Sequence, residues 1–381
     1  SLHKHHFPIL LSSDMPINAN AVLSRLQDQS IRDQSFLQSS YDEFGDIAGT
    51  VSERDEVSNN PIFDRFISDL GSDSVRTMTN FTASEFETLW SVVDTVMHSA
   101  WMEGRGRRSL TSPKDSLFMT LVVLKHFSSW DKHAADFGYK APTFEKLIMR
   151  VIGVVQPVLY DISLSPIYAK STRVTTPIRA PSVRIVRCGC QDYYSGKHGM
   201  YGYKIEATVS PNGRCVAMSE SHPGSVHDFT IMHSRQEVHK AMLMKNQQDM
   251  LLPDHGELSA QYREQWACLV DMGYIGIANT LRGIHPKRRP VNGVLDASDV
   301  ERNRLISSDR VTMKWYFGRV CALWKASYAT FTWSEKNYCA IQRTTFALTN
   351  FHLSLMPLRV EDETFYGMVL ARYERMANEK K

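Results

Sequence analysis

Apolar residues recur at three- and four-residue intervals through much of the first half of this chain and alternate with polar ones in parts of the second. Phe86, Leu89, Val92, Val93 and Val96 form one such stripe, which predicts an amphipathic helix. Thr82 stands where an N-cap belongs and Glu85 follows three residues later, the spacing of a capping box. Three more helices are expected at about 112–127, 129–137 and 142–154. The apolar run 117–124 ends at Lys125. It is far shorter than the roughly 18 residues a membrane span needs and reads as a buried helix. Gly138-Tyr139 separates the last two helices, and Pro142 opens the third. Three short helices with a glycine turn before the third are compatible with a helix-turn-helix, and equally with a plain helical packing domain.

After Pro157 the period changes. Residues 203–209 alternate as a strand does, Pro211-Asn-Gly213 signals a turn, and 214–219 supply a second strand, so a hairpin is expected. Pro223-Gly-Ser-Val-His-Asp228 reads as a loop into a helix with Ser225 as N-cap. The short apolar run 266–270 ends in Asp271-Met-Gly-Tyr274, a buried strand with a carboxylate at its tip. Helical spacing resumes near Arg310 and persists to about 356, with a last helix near 362–377. The expected organisation is a leader over 1–76, a helical domain over 77–157, an α/β domain over 158–360 and a tail over 361–381.

Composition alters this picture in one place. Eleven acids and three arginines lie between Asp28 and Asp73, among many Ser, Gln and Asn. That segment is expected to be solvated and weakly ordered, with one amphipathic helix at 19–29. The formal charge of +3 does not by itself point to nucleic acid. Without the acidic leader, however, the rest is distinctly basic and suits a polyanion. Arg105, Arg107 and Arg108 form a short basic loop, read either as a phosphate clamp or as a solvated loop. The third helix offers Lys146 and Arg150, a thin set for reading a groove. Six cysteines are scattered, only Cys188 and Cys190 being close, so free thiols and a reducing intracellular setting are expected. No signal peptide is expected, and because the chain opens at Ser1 rather than Met a preceding piece is. No internal repeat, Walker loop, GxGxxG, HExxH or GxSxG occurs.

Phosphodiester cleavage can use two divalent ions about 3.5–4 Å apart, and hard ions of the magnesium kind prefer carboxylate oxygens. A nuclease can supply these from a central strand, the tip of its neighbour and a later helix. Asp271 suits the strand-tip role, or else caps the turn through Gly273. Tyr193-Tyr-Ser-Gly-Lys-His198, Tyr203-Lys204, Pro211-Asn-Gly213, Pro223-Gly-Ser-Val-His-Asp228 and Asp271-Met-Gly-Tyr274 are followed by Asn303-Arg304, Arg310-Val311, Phe317-Gly-Arg319 and Ala347-Leu-Thr-Asn350. In this order they resemble the DDE endonuclease domain of PIF/Harbinger transposases and the nucleases derived from them, over roughly 165–360. Residues 80–155 are similar to the helix-turn-helix region that precedes it. The resemblance implies an α/β fold of the RNase H-like kind, two magnesium or manganese ions, a nuclear setting and DNA as substrate.

Carried over residue by residue, the resemblance leaves two holes. The first acid belongs on a strand at about 168–177, but no acid occurs from 162 to 191, and Ser171 or Thr172 takes its place. The second maps to Asp271. The third, a glutamate in the family, maps to Lys314, whose helical neighbours Arg310, Val311, Phe317 and Gly318 include no acid. Lys314 is expected to pair with Asp271 and fill the vacated space. Asp228 is read as a structural residue at a helix start or an accessory metal ligand. His222, His227 and His233 read as loop histidines. Tyr193, Lys197 and His198 either contact phosphates or close their loop. The expected protein keeps the fold and binds DNA, chromatin or an accessory protein, without membrane association. It no longer holds magnesium or manganese and no longer cuts. The alternatives are an active endonuclease using Asp271, Asp228 and Asp192, or a protein-interaction module without nucleic-acid affinity. Oligomeric state stays open.

Overall fold

The capping box forms as its spacing demands: Thr82 Oγ1 accepts from the Glu85 N–H at 3.2 Å, and Glu85 Oε2 accepts from the Thr82 N–H at 2.8 Å. The computed structural model describes residues 31, 35, 58–103, 109–164, 174–179, 183–184, 191–195 and 200–357. Ser58–Lys381 is one compact unit and Ser1–Val57 another. The helix expected at 19–29 and the tail helix at 362–377 lie outside the described residues.

Order begins earlier than the acidic composition suggests. Helix α1, Pro61–Leu70, falls inside the acidic segment read as weakly ordered, and α2, Asp73–Thr79, starts at its last residue. Pro61 starts α1, and Phe63, Phe66, Ile67 and Leu70 follow at helical spacing. The buried Phe63 ring stacks on Phe86 at 4.6 Å. The buried Asp115 carboxylate accepts from the N–H groups of Phe63 and Ile62 at 2.9 and 3.3 Å, which satisfies the start of α1 from a distant helix. Burial raises the Asp115 pKa, and those N–H bonds pull it back.

Helix α3, Ala83–Met102, carries the predicted stripe, with Phe86, Leu89, Val93 and Met97 buried. Helix α4, Pro113–His126, is buried throughout 117–124. Helix α5, Trp130–Asp136, leads through residues 137–140, with Gly138 at φ 72°, into α6, Ala141–Leu164. The sequence places the end of α6 near 154, yet it runs on through Pro157. Val151, Ile152, Val155 and Leu159 are all buried, so packing on both sides of the proline outweighs its missing N–H. Among the described residues, no helix is long and apolar enough to cross a membrane.

A five-stranded sheet follows. Its order is β6-β5-β1-β8-β9, where β1 is Val174–Arg179, β5 Glu206–Val209, β6 Cys215–Met218, β8 Ala267–Leu269 and β9 Gly283–Ile284. β5 and β6 run antiparallel on one side, while β8 and β9 run parallel to β1 on the other. The predicted hairpin is β5–β6, turned at Gly213 with φ 80°. The strand expected over 203–209 divides at Ile205. Its first part, β4 (Met200–Lys204), joins a smaller sheet with β2 (Val183–Arg184), β3 (Tyr194–Ser195) and β7 (His222–Pro223).

Helices α7, Asp228–Ser234, and α8, Gln236–Leu243, separate the hairpin from β8. Helix α9, Ala297–Asp309, starts before the predicted onset near 310. α10, Val311–Leu323, and α11, Tyr338–Leu355, complete the described elements. One apolar cluster holds Val93, Leu121 and Ile152 together with Val209, Tyr316 and Phe346, so no break in the core falls at 157. The four described cysteines, Cys215, Cys268, Cys321 and Cys339, are free thiols.

Candidate functional site

Cys268, Leu269 and Val270 bury β8 and its exit, and the chain leaves the sheet at Asp271. Asp271 Oδ1 accepts from the Met272 N–H at 2.7 Å and so caps the 3-10 turn Met272–Tyr274. Asp271 therefore stands just beyond the end of β8 and caps the turn that follows it. The residue facing Asp271 differs from expectation. Arg310 brings a guanidinium nitrogen to 3.4 Å from Asp271 Oδ1. Lys314 is exposed in the first turn of α10 and forms no ion pair among the described residues. The two cations stand one turn apart on the same side of the chain, and the longer, forked side chain makes the contact. Arg310 is largely buried, with 16% of its side chain exposed, and its Nε has no partner among the described residues.

Asp228, the first residue of α7, pairs with the buried Lys204 on β4 at 3.4 Å, and Lys204 also donates to the Val226 carbonyl at 2.6 Å. A Cβ on Gly273 would meet Asp228 Oδ2 at 3.5 Å, so the turn beyond Asp271 passes against Asp228. The cap of α7 is His227, whose Nδ1 accepts from the Phe229 N–H at 3.2 Å, rather than the expected Ser225. Ser225 instead donates from both its N–H and its hydroxyl to the Asp192 carbonyl, and residue Asp192 itself is exposed. Gly224 is required here: a Cβ would lie 2.3 Å from the Tyr193 oxygen and 2.8 Å from that of Gly202. This contact joins the Tyr193 and Pro-Gly-Ser motifs.

Glu206 on β5 was not singled out from the sequence, and a lone acid in an alternating strand was the available signal. Its side chain is 1% exposed, and Oε1 accepts from Arg235 and lies 2.8 Å from His239 Nε2. Oε2 has no partner among the described residues. Tyr274, also buried, has its hydroxyl pKa raised by burial first, then by Glu206 and Asp228, with Asp271 contributing. Three carboxylates thus converge electrostatically on one tyrosine. Asp271, Asp228 and Glu206 each carry a cation of their own.

The other sequence candidates are dispersed. Ser171, Thr172, Arg105, Arg107, Arg108, Lys197 and His198 lie outside the described residues. Lys146 is exposed on α6. Arg150 lies over the Trp101 ring at 4.7 Å and donates to the Ala100 carbonyl, so it ties α6 to α3.

A pair of magnesium or manganese ions needs several free oxygen donors converging on one place. Among the described residues no group of three His, Cys, Asp or Glu meets that need. Asp271 already faces Arg310, and Asp228 faces Lys204. A cation about 4 Å from a bound dication is repelled by several kcal/mol per metal charge at an effective dielectric near 20. The residues present therefore do not fit the ion pair.

Residues 174–350, somewhat under half of the chain, match the family model described as DDE superfamily endonuclease. The matched segment holds the whole five-stranded sheet, Asp228, Asp271, Arg310 and Lys314, and begins just after Ser171 and Thr172. No curated protein and no solved structure matches the chain.

Proposed function

We propose that this is a transposase-derived protein of the DDE endonuclease superfamily, of the PIF/Harbinger kind. On this reading it keeps an RNase H-like fold and affinity for DNA or chromatin but has lost metal-dependent cleavage. The observation that carries this reading is the incomplete acid set: Lys314 stands where the third acid is expected, no acid occurs from 162 to 191, and Asp271 is paired with Arg310 at 3.4 Å. The family match supports the nuclease ancestry. The sheet supports the fold reading: the acid stands at the tip of β8, which runs parallel and adjacent to the central strand β1. The short link at Gly138 between α5 and α6 supports a helix-turn-helix reading, with Lys146 exposed on its second helix. The working role is binding or scaffolding in a nuclear setting, with chromatin or an accessory protein as partner.

Purified protein with magnesium or manganese should leave duplex DNA bearing candidate ends unnicked. Robust metal-dependent cutting that Asp271→Ala abolishes overturns the proposal. A second reading, an active endonuclease using Asp271, Asp228 and Asp192, draws on the closeness of Asp228 to the Gly273 turn. It requires saturable manganese binding that Asp228→Asn and Asp271→Asn each remove.

A further inference from the structure

Away from Asp271, a set of cations from four separate elements gathers at one place. Arg76 belongs to α2, Lys125 and His126 to the last turn of α4, Lys132 to α5, and Lys325 to the short 3-10 turn Lys325–Ser327 after α10. Lys125 Nζ donates to the Arg76 and Thr77 carbonyls at 3.1 and 2.5 Å. The turn that carries Lys325 packs on α4, and Lys125, Lys325 and Lys132 all oppose charge on His126. Arg76, His126, Lys132 and Lys325 are exposed. None of the five residues forms an ion pair among the described residues.

Capping accounts for part of this. Lys125 and His126 serve carbonyls at the end of α2, since His126 also bonds the Met78 backbone. Lys132 and Lys325 serve no such end, and each adds like charge to the group. Burial, and then Arg76, lower the Lys125 pKa to about 8, and burial followed by Lys125 lowers that of His126. Asp136 acts on His133, and Glu85 is held in the capping box. A folded chain that tolerates this self-repulsion holds a potential suited to an anion.

We propose that Arg76, Lys125, His126, Lys132 and Lys325 form a second nucleic-acid contact, binding the phosphate backbone of duplex DNA without reading its sequence. The inference rests on the reading that the chain keeps DNA affinity, and it says where part of that affinity lies. An open face of exposed charged ends suits a chain of phosphates. Lys132 stands on the helix that leads through the Gly138 link into α6, so the patch borders the helix-turn-helix candidate.

The test uses the full chain and a labelled duplex of arbitrary sequence, with affinity followed across a salt titration. Lys132→Glu combined with Lys325→Glu should weaken binding on the order of tenfold to a hundredfold near 0.1 M salt, and flatten the slope of log K against log salt by about 2. Lys336→Glu, an exposed lysine on a separate 3-10 turn, should change neither. The double variant should melt no lower than the wild type, because it relieves repulsion, so a loss of binding would not reflect unfolding. Wild-type binding with an unchanged slope in the double variant overturns this patch and leaves the wider reading standing. A wild type that binds no duplex overturns both. Loss of binding to single-stranded RNA or phosphatidylserine vesicles, with duplex binding intact, overturns the choice of ligand.

Discussion

Asp271→Asn in metal-free buffer isolates the charge on which the site depends. Asparagine keeps an oxygen for the Met272 N–H, which Asp271 now accepts at 2.7 Å, so the turn cap survives and only the charge is lost. Opposite charges 3.4 Å apart are worth about 5 kcal/mol at an effective dielectric of 20 and about 1.2 kcal/mol in bulk water. Arg310 is 16% exposed but Asp271 42%, which places the pair nearer the aqueous figure. The variant also leaves a largely buried guanidinium, whose Nε already lacks a partner among the described residues, without its counter-ion. We expect a loss of about 1–2 kcal/mol, or roughly 1.5–3 °C in melting temperature for a unit of this size. Thermal unfolding in EDTA measures it, and a cycle with Arg310→Met should recover a coupling of about 1 kcal/mol. A metal ligand crowded by other acids behaves oppositely, since its removal relieves repulsion and raises stability. An unchanged or higher melting temperature for Asp271→Asn would therefore refute the assignment of Arg310 as its partner.

Further outcomes follow from the same geometry. Glu206→Gln should destabilise the fold by about 3–5 kcal/mol in urea titrations, because it strands Arg235 and His239 in the interior; a loss under about 1 kcal/mol would argue against a charged Glu206. Burial holds His133 and His352 at about 4, with Arg319 adding to the effect at His352, against an ordinary 6.5. Both bind a proton more readily unfolded, so the stability they lend is complete above about pH 6.5 and is lost as pH falls toward about 4; a urea midpoint that stays level between about pH 7 and pH 5 contradicts this. Thr172→Asp with Lys314→Glu should leave manganese affinity weak while Arg310 remains, and adding Arg310→Gln should raise it by at least tenfold in calorimetry; equal affinity with and without Arg310 counts against the electrostatic account.

The sequence was most legible where neighbours in the chain are also neighbours in space. The Thr82–Glu85 box, the buried run at 117–124, the Gly213 hairpin and the strand ending at Asp271 are all local patterns, and each is present. It was least legible where distant residues decide. Helix α1 forms inside an acidic segment because Phe63 meets Phe86 and Asp115 accepts its first N–H groups. Composition weighs Asp64 and Asp69 and cannot see those partners. Helix α6 ignores Pro157 for the same reason, since Val155 and Leu159 are buried on either side of it. His227 displaces Ser225 as cap because the Ser225 hydroxyl is drawn to the Asp192 carbonyl. At the candidate site, helical spacing identified Arg310 as a face-mate of Lys314 but did not say which cation reaches Asp271. That depends on how the α9–α10 junction meets the end of β8.

The cations opposing the three carboxylates come from different parts of the chain: Lys204 from β4, Arg235 from the junction of α7 and α8, and Arg310 from the junction of α9 and α10. A sheet end crowded with acids is ordinarily costly to fold until a metal neutralises it, and here side chains supply that neutralisation instead. Arg310 cannot swing aside freely. To do so it would give up its burial and its ion pair with Asp271. A dication approaching Asp271 therefore works against packing as well as against charge.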